Sequence, residues 1–296
     1  MKFTVPDSIT LRTSGATATI RPLGAELRQW RVGAHDLLWT PDARYWNAVS
    51  PILFPVVGWI RNSEVRVGGK TYPMKVHGFA DVTPFTVSEQ RGDFVRLGCA
   101  DSAATRAHYP FAFELEVAYA LTEHSLSAAI TVRNTGNTLM PYATGFHPGF
   151  RWPLAGGAKE DHVIEFDKAE RAEVPVIAPG GLIGAGRRAV PLRGRVLPLT
   201  ETLFAKDALC FLDAASGSLR FTSPEAELTI SAENFAHIAL WSRPGAPFLC
   251  IENWTGHGDP EGFAGDLFEK PGMKTLAPGE SARHSVEYKF IMTSSR

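Results

Sequence analysis

Three side chains in this sequence are placed by type and setting to move protons: Glu252 in FLCIENW (248–254), His147 in TGFHPGF (144–150) and His77 in MKVHGFAD (74–81). If FLCIENW is extended, strand parity puts Phe248, Cys250, Glu252 and Trp254 on one side and Leu249, Ile251 and Asn253 on the other. Apolar company withholds water from a carboxylate and raises its pKa from about 4.3 toward neutrality, which suits a general base. The bland alternative is a glutamate at a sheet edge, solvated or paired with arginine. Gly145 and Gly149 allow close approach of backbone or ligand, and Pro148 biases His147 toward extended geometry. That imidazole is either a packed turn residue or a fixed proton donor or metal ligand. His77 stands in His-Gly-Phe, echoed 70 positions later by Gly-Phe-His-Pro-Gly-Phe. Histidines often simply pack or hydrogen-bond, and His108, His124, His162 and His284 lack comparable surroundings. His257 in TGHGDP is an outside candidate through its closeness to Glu252.

Two chemistries fit these parts. Two histidines and a carboxylate on a β scaffold can ligate Zn²⁺ or Fe²⁺, although no His-x-His pair or other close ligand spacing supports it. Alternatively they form an acid–base pair around a polyhydroxylated ligand, with Trp254 and Trp152 offering flat apolar faces, or else simply packing in the core. Arg61 ends the apolar run PILFPVVGWIRN (51–62), where its planar guanidinium is either an ordinary surface group or a donor to several oxygens at once.

The elements that must hold such groups read as strands. SLSAAITVRNTG (125–136) and FELEVAYAL (113–121) alternate apolar and polar residues. SLRFTSPEAELTISAEN (218–234) reads as two strands broken at Ser223-Pro224-Glu225. HIALW, SRPGA and FLCIENW read as a hairpin, and SARHSVEYKF (281–290) as a closing strand after APGE. Helical periodicity is nowhere sustained, and 27 glycines with 21 prolines punctuate the chain. The pattern predicts an all-β fold, a large antiparallel β-sandwich forming one unit over 1–296, with 154–200 as long loops. An apolar content of 44% allows a sizeable core, and a net charge of −1 gives no support for nucleic-acid binding. No run reaches the roughly 18 apolar residues of a membrane span, and MKFTVPDSITL lacks a signal-peptide apolar stretch. Cys99, Cys210 and Cys250 are isolated, which predicts reduced thiols and a cytoplasmic protein.

Assembled in order, PILFPVVGWIRN, HGFAD, TGFHPGF, LFAKDALCF, CIENW and LAPGES resemble the aldose 1-epimerase (galactose mutarotase) family, especially its lactose-operon-associated bacterial branch. The resemblance covers nearly the whole chain. It implies a β-sandwich with an open sugar-binding groove, no metal and no organic cofactor, and a monosaccharide as partner of a monomer or homodimer. It also implies roles: Glu252 as base toward the anomeric hydroxyl, His147 as acid toward the ring oxygen, His77 as the second histidine supporting the transition state, and Arg61 and Asp207 as sugar-binding groups. Such a pair predicts a bell-shaped pH–rate profile, with Glu252 on the acidic limb and His147 on the alkaline one. Two positions depart from the branch: Asn253 stands where proline usually follows the glutamate, and Asp81 where arginine usually follows His-Gly-Phe-Ala. Two further readings use the same groove. A hexose-6-phosphate epimerase needs a cationic cradle from Arg151, Arg187, Arg188 or Arg243; a sugar sensor needs only binding.

Overall fold

Alternation along 113–121 and 125–134 produces neighbouring antiparallel strands at those positions, with Leu115 opposite Val132 and Val117 opposite Ile130. Phe113, Leu115, Val117, Tyr119 and Leu121 all turn inward, because successive side chains of a strand point to opposite faces. The computed structural model describes residues 7–293, so the first six residues of the MKFTVPDSITL segment lie outside the described residues. Strand occupies 49% of the chain and helix 8%. The all-β expectation therefore holds, and the sheets are large and antiparallel.

The largest sheet has nine strands in the order 196–198, 163–166, 218–222, 226–233, 281–292, 125–134, 113–121, 94–100 and 86–90. Its centre is the expected closing strand, Ser281–Met292, which pairs with both Ser125–Asn134 and Ala226–Glu233. Local chemistry sets the ends. Asn134 stops its strand by accepting from Gly136 N–H and donating to the carbonyls of Thr138 and Leu276. The break at 223–225 is a tight turn closed by the Ser223 side chain and backbone on Ala226. A four-stranded sheet (9–12, 16–21, 26–32, 35–36) is formed by the N-terminal residues.

The second large sheet holds 209–211, 237–241, 248–254, 145–146 and 52–53 in that order, with 149–151 also paired to 248–254. The predicted hairpin is its heart: Trp241 lies opposite Cys250 and Ala239 opposite Glu252. All seven residues of Phe248–Trp254 are buried, unlike the half-buried strands of the nine-stranded sheet. Leu249 and Ile251 belong to the main core, while Trp254 packs with Leu53, Val57, Ala143, Cys210 and Ala239 in a smaller apolar cluster.

The expectation of long loops over 154–200 is corrected. Val163–Phe166 and Val196–Pro198 join the nine-stranded sheet, and Glu173–Ala178 with Leu182–Ala189 form a separate hairpin. Gly180 and Gly181, at φ 80° and 76°, make its turn in a backbone region that side chains disfavour. Its second strand, Leu182–Ala189, escapes a reading by alternation because neither of its faces is deeply buried.

Candidate active site

His147 and Glu252 meet because two short strands share one partner. Phe146 pairs with Asn253 and Gly149 with Cys250, a register that sets His147 directly opposite Glu252. Pro148 has no N–H to continue the ladder, but its carbonyl still accepts from Ile251 N–H at 3.2 Å, which keeps the segment on the sheet. Both glycines of the motif are required by crowding: a Cβ on Gly145 would come within 2.8 Å of Trp254, and one on Gly149 within 2.7 Å of Trp39. His147 Nε2 stands 3.3 Å from Glu252 Oε2.

Glu252 is 1% exposed, and Oε2 accepts from Trp254 Nε1–H at 3.0 Å. Oε1 accepts no hydrogen bond from a described residue. Burial pushes the Glu252 pKa well above the usual carboxylate range; the Trp254 donor opposes this and the nearby Asp207 charge adds to it. The His147 ring is stacked on Trp46 with centroids 4.8 Å apart and meets Trp241 edge-on at 5.8 Å. Burial, then the neighbouring His77, pushes its pKa well down. Its Nδ1 is buried without a partner, so an imidazolium there would carry an orphaned N–H and would give up a proton readily.

His77 sits at φ 64° with its ring 5.3 Å from that of His147. This left-handed conformation costs of order 1 kcal/mol, and a network around it holds the residue there. His77 N–H donates to the Gly58 carbonyl, the His77 carbonyl accepts from Phe54 N–H, and Gly58 N–H donates to His77 Nδ1 at 3.1 Å. The last bond assigns the proton to Nε2, leaving that edge as a donor. Gly78 follows because a Cβ there would lie 2.1 Å from the Phe54 carbonyl oxygen. Burial, reinforced by the Lys75 charge, pushes the His77 pKa down to about 4.

A cavity of about 530 Å³ opens over these groups, within the range of small-molecule sites. Glu252, His147, His77, Asp207 and Trp254 all line it. Asp207 is at φ 70°, and its carbonyl accepts from Arg188 Nη2 at 2.8 Å. One expected sugar-binding group lies off the cavity wall, and one open alternative is decided. Arg61 is not among the lining residues: the chain turns at Asn62 and Ser63 (φ 56° and 55°), and the guanidinium donates to the Phe263 carbonyl at 3.2 Å. Trp152 is 1% exposed, donates to the Lys159 carbonyl, and belongs to the core rather than the cavity. His257 is buried beside His237, with Nδ1 on the Gly258 carbonyl, outside the lining.

Residues absent from the sequence reading complete the wall. Trp241 could have been found from the hairpin register, which places it on the Cys250 and Glu252 face. Trp46 had no local signal. It is presented by a loop that buried Glu26 anchors by accepting from Val49 and Ser50 N–H, while Arg21 and Arg28 compensate the carboxylate. Trp59 is half exposed and lies under the hairpin tip at Gly181, where a Cβ would be 2.1 Å from the indole. Lys75 and Asp81 also line the cavity, paired at 2.7 Å. Of the four arginines expected as a phosphate cradle, Arg243 alone lines it. Arg188 donates to the carbonyls of Leu203, Asp207 and Ala208, and Arg151 to that of Leu38.

The metal reading changes shape as well. The ligand atoms lying within 4.8 Å of one another are those of His147, Cys250 and Glu252, so His77 is not part of the cluster. Burial, with the Glu252 charge nearby, pushes the Cys250 thiol well up. All three cysteines are free. Among the described residues, no helix is long and apolar enough to cross a membrane.

The chain is similar to known proteins over almost its whole length. A family model described as aldose 1-epimerase matches residues 7–289. Protein LacX of Lactococcus lactis subsp. lactis, in plasmid and chromosomal forms, is 30% identical over 96% of this chain and 99% of its own. The crystal structure of a galactose mutarotase-like protein from Lactobacillus casei is 30% identical, with a TM-score of 0.90 over 96% of this chain and 100% of that one. A galactose mutarotase related enzyme from Lactobacillus acidophilus is 27% identical, with a TM-score of 0.88 over 96% of this chain and 97% of its own. A galactose 1-epimerase from Lactobacillus acidophilus is 14% identical with a TM-score of 0.70, over 99% of this chain and 98% of its own, a likeness of fold.

Proposed function

Because the chain belongs to the aldose 1-epimerase family, we propose that it interconverts the α and β anomers of an aldose by acid–base ring opening, with Glu252 as base and His147 as acid. The observation that carries this reading is the 3.3 Å approach of His147 Nε2 to Glu252 Oε2 on the cavity wall. The two oxygens that must exchange protons are bonded to the same anomeric carbon. An acid and a base that serve both must therefore lie side by side.

In the forward step Glu252 Oε1 takes the proton of the anomeric hydroxyl while His147 gives one to the ring oxygen. The bond between the anomeric carbon and the ring oxygen breaks, leaving an aldehyde and a new hydroxyl. Rotation about the bond to C2 presents the other face of the aldehyde, and the reverse transfers close the ring. Each positioned transfer contributes roughly 10²–10⁴ in rate.

Burial acts on this cycle in a definite direction. It favours the neutral carboxyl and the neutral imidazole, which is the pair present once the ring is open. The reactive pair, carboxylate and imidazolium, holds the same single proton redistributed between the two groups, so the pair titrates as a unit. His77, with Nε2–H as a donor, supports charge on a sugar oxygen, and Trp254 fixes the orientation of Glu252. Asp207 accepts from a sugar hydroxyl at the same cavity.

The test is anomer exchange followed by NMR or polarimetry over a panel of aldoses, in the wild type and Glu252→Gln. The expected result is exchange in the wild type and its loss in the variant, with sugar binding retained. Exchange at the uncatalysed rate in both would leave a binding protein rather than an enzyme, and equal catalysed exchange in both would remove Glu252 as the base.

A further inference from the structure

Taking the proposed reaction as its basis, we infer that the Lys75–Asp81 ion pair on the cavity wall is a specificity-determining element: it admits an uncharged sugar and disfavours one bearing an anionic substituent. Both residues line the same cavity as His77, His147 and Glu252, and Lys75 is two positions from His77. Lys75 Nζ lies 2.7 Å and 2.8 Å from the two oxygens of Asp81, so the carboxylate engages the ammonium with both oxygens. A lysine so engaged has its charge compensated before any ligand arrives. An incoming phosphate or carboxylate would have to displace Asp81 and would then meet it as a like charge. A sugar hydroxyl meets no such penalty, since it can accept from the ammonium and donate to the carboxylate while the pair stays closed.

The backbone beneath the pair is fixed, so this geometry is built in. Asp81 sits in the 3-10 turn Ala80–Val82, where Val82 N–H donates to the Phe79 carbonyl and Thr83 N–H to that of Ala80. Gly24 packs so closely that a Cβ there would lie 2.6 Å from the Asp81 carbonyl oxygen. Lys75 is held on the other side through Gly78 N–H, which donates to its carbonyl. Both side chains are near half exposure, 45% and 40%. An exposed pair contributes little to stability, so its place on the cavity wall is the better account of its role.

The remaining charges on the wall point the same way. Besides the catalytic pair and His77, these are Asp207, a second carboxylate, and Arg243, whose guanidinium lies over the Trp241 ring at 5.6 Å. Phosphate recognition draws on clustered, bidentate donors, and one arginine on a wall that also carries Asp81 and Asp207 falls short of that.

The experiment compares an aldohexose with its 6-phosphate, by exchange rate and by calorimetric affinity, in wild type, Asp81→Asn and the double variant Lys75→Met with Asp81→Asn. Wild type is expected to favour the free sugar. Asp81→Asn frees the lysine and shifts the preference toward the phosphate by about 10-fold, the scale of one added charge-assisted contact. The double variant removes that gain. A preference unchanged within about 2-fold in Asp81→Asn, or retained in the double variant, overturns the inference. Absence of exchange with every sugar in the wild type overturns the reaction instead; the calorimetric affinities for the phosphate then still test the pair.

Discussion

The floor of the cavity and its rim hold ionisable pairs of opposite character. At the floor, Glu252 and His147 are 1% and 7% exposed, and burial drives both toward their neutral forms. At the rim, Lys75 and Asp81 are near half exposure and paired as ions at 2.7 Å. The contrast follows from solvation. A charge removed from water without full compensation is costly, so a buried acid and base keep one mobile proton between them. A pair that water reaches keeps both charges and can offer them to a ligand. One region is suited to moving protons, and the other to reading what the substrate carries.

The most severe break of that contrast is at the floor. Glu252→Gln removes the base while keeping the side-chain shape, and exchange should fall by roughly 10²–10⁴, with sugar affinity unchanged by calorimetry. The same variant has a stability consequence whose sign is fixed. Glu252 has its folded pKa raised, so the stability it contributes is full below its unfolded value near 4.5 and is lost as pH rises through the folded value. Glu252→Gln should therefore match the wild type in thermal midpoint at acid pH and exceed it by about 2–4 °C at alkaline pH. The buried histidines act on the other side. His77 and His237, both lowered to about 4 from 6.5, bind fewer protons folded than unfolded and should destabilise the protein as pH falls through that window.

The pH–rate profile sharpens the comparison next. The proposed reaction needs the carboxylate and the imidazolium, yet burial raises the pKa of the first and lowers that of the second. The profile should be bell-shaped but with the expected limbs exchanged: the lower limb reports protonation of the shared pair at His147, and the upper limb its final deprotonation at Glu252. Only a minor fraction of the pair holds the reactive arrangement at any pH. Trp254→Phe tests the assignment. Losing the Nε1–H donor removes the influence that holds the Glu252 pKa down, so the upper limb should move to higher pH while exchange falls about 10-fold. A profile that stays in place would detach Trp254 from Glu252. Chelation should leave the rate unchanged, as protons alone are transferred.

How much of this could be read along the chain depends on the range of the contact. Strands such as 113–121 were legible because alternation and a flanking turn are local. The hairpin 237–254 was legible for the same reason, and with it the face carrying Glu252, Cys250 and Trp254. The meeting of His147 with Glu252 was not, since it needs the register between segments about a hundred residues apart. Trp46 lay further from view: nothing near it in sequence reveals that Glu26 anchors its loop. The hairpin over 173–189 was not legible because glycines and arginines interrupt the apolar pattern of its second strand, which buries no residue fully. Asp81 was visible only through the resemblance, and its partner Lys75 was not, because their pairing depends on the turn between them.

The smallest effects are expected at two residues weighed as sugar contacts that the fold keeps off the cavity wall. Trp152 is packed against Phe204 with Nε1–H on the Lys159 carbonyl, so Trp152→Phe should act through stability and leave the KM for sugar unchanged. Arg61 differs in kind. Its backbone N–H donates to Asp259 Oδ2, and Asp259 Oδ1 pairs with buried Lys270 at 2.6 Å, so the residue is tied through its main chain to a compensated charge beneath the surface. Substituting the side chain leaves that bond intact and removes only the guanidinium contact with the Phe263 carbonyl. Arg61→Gln should then change kcat/KM by less than about 3-fold, well under the loss expected for a charged group bound to substrate. A loss of 100-fold, about 2.7 kcal/mol of transition-state stabilisation, would show that the guanidinium swings into the cavity when sugar binds, and the contrast between floor and rim would need a third, mobile charge.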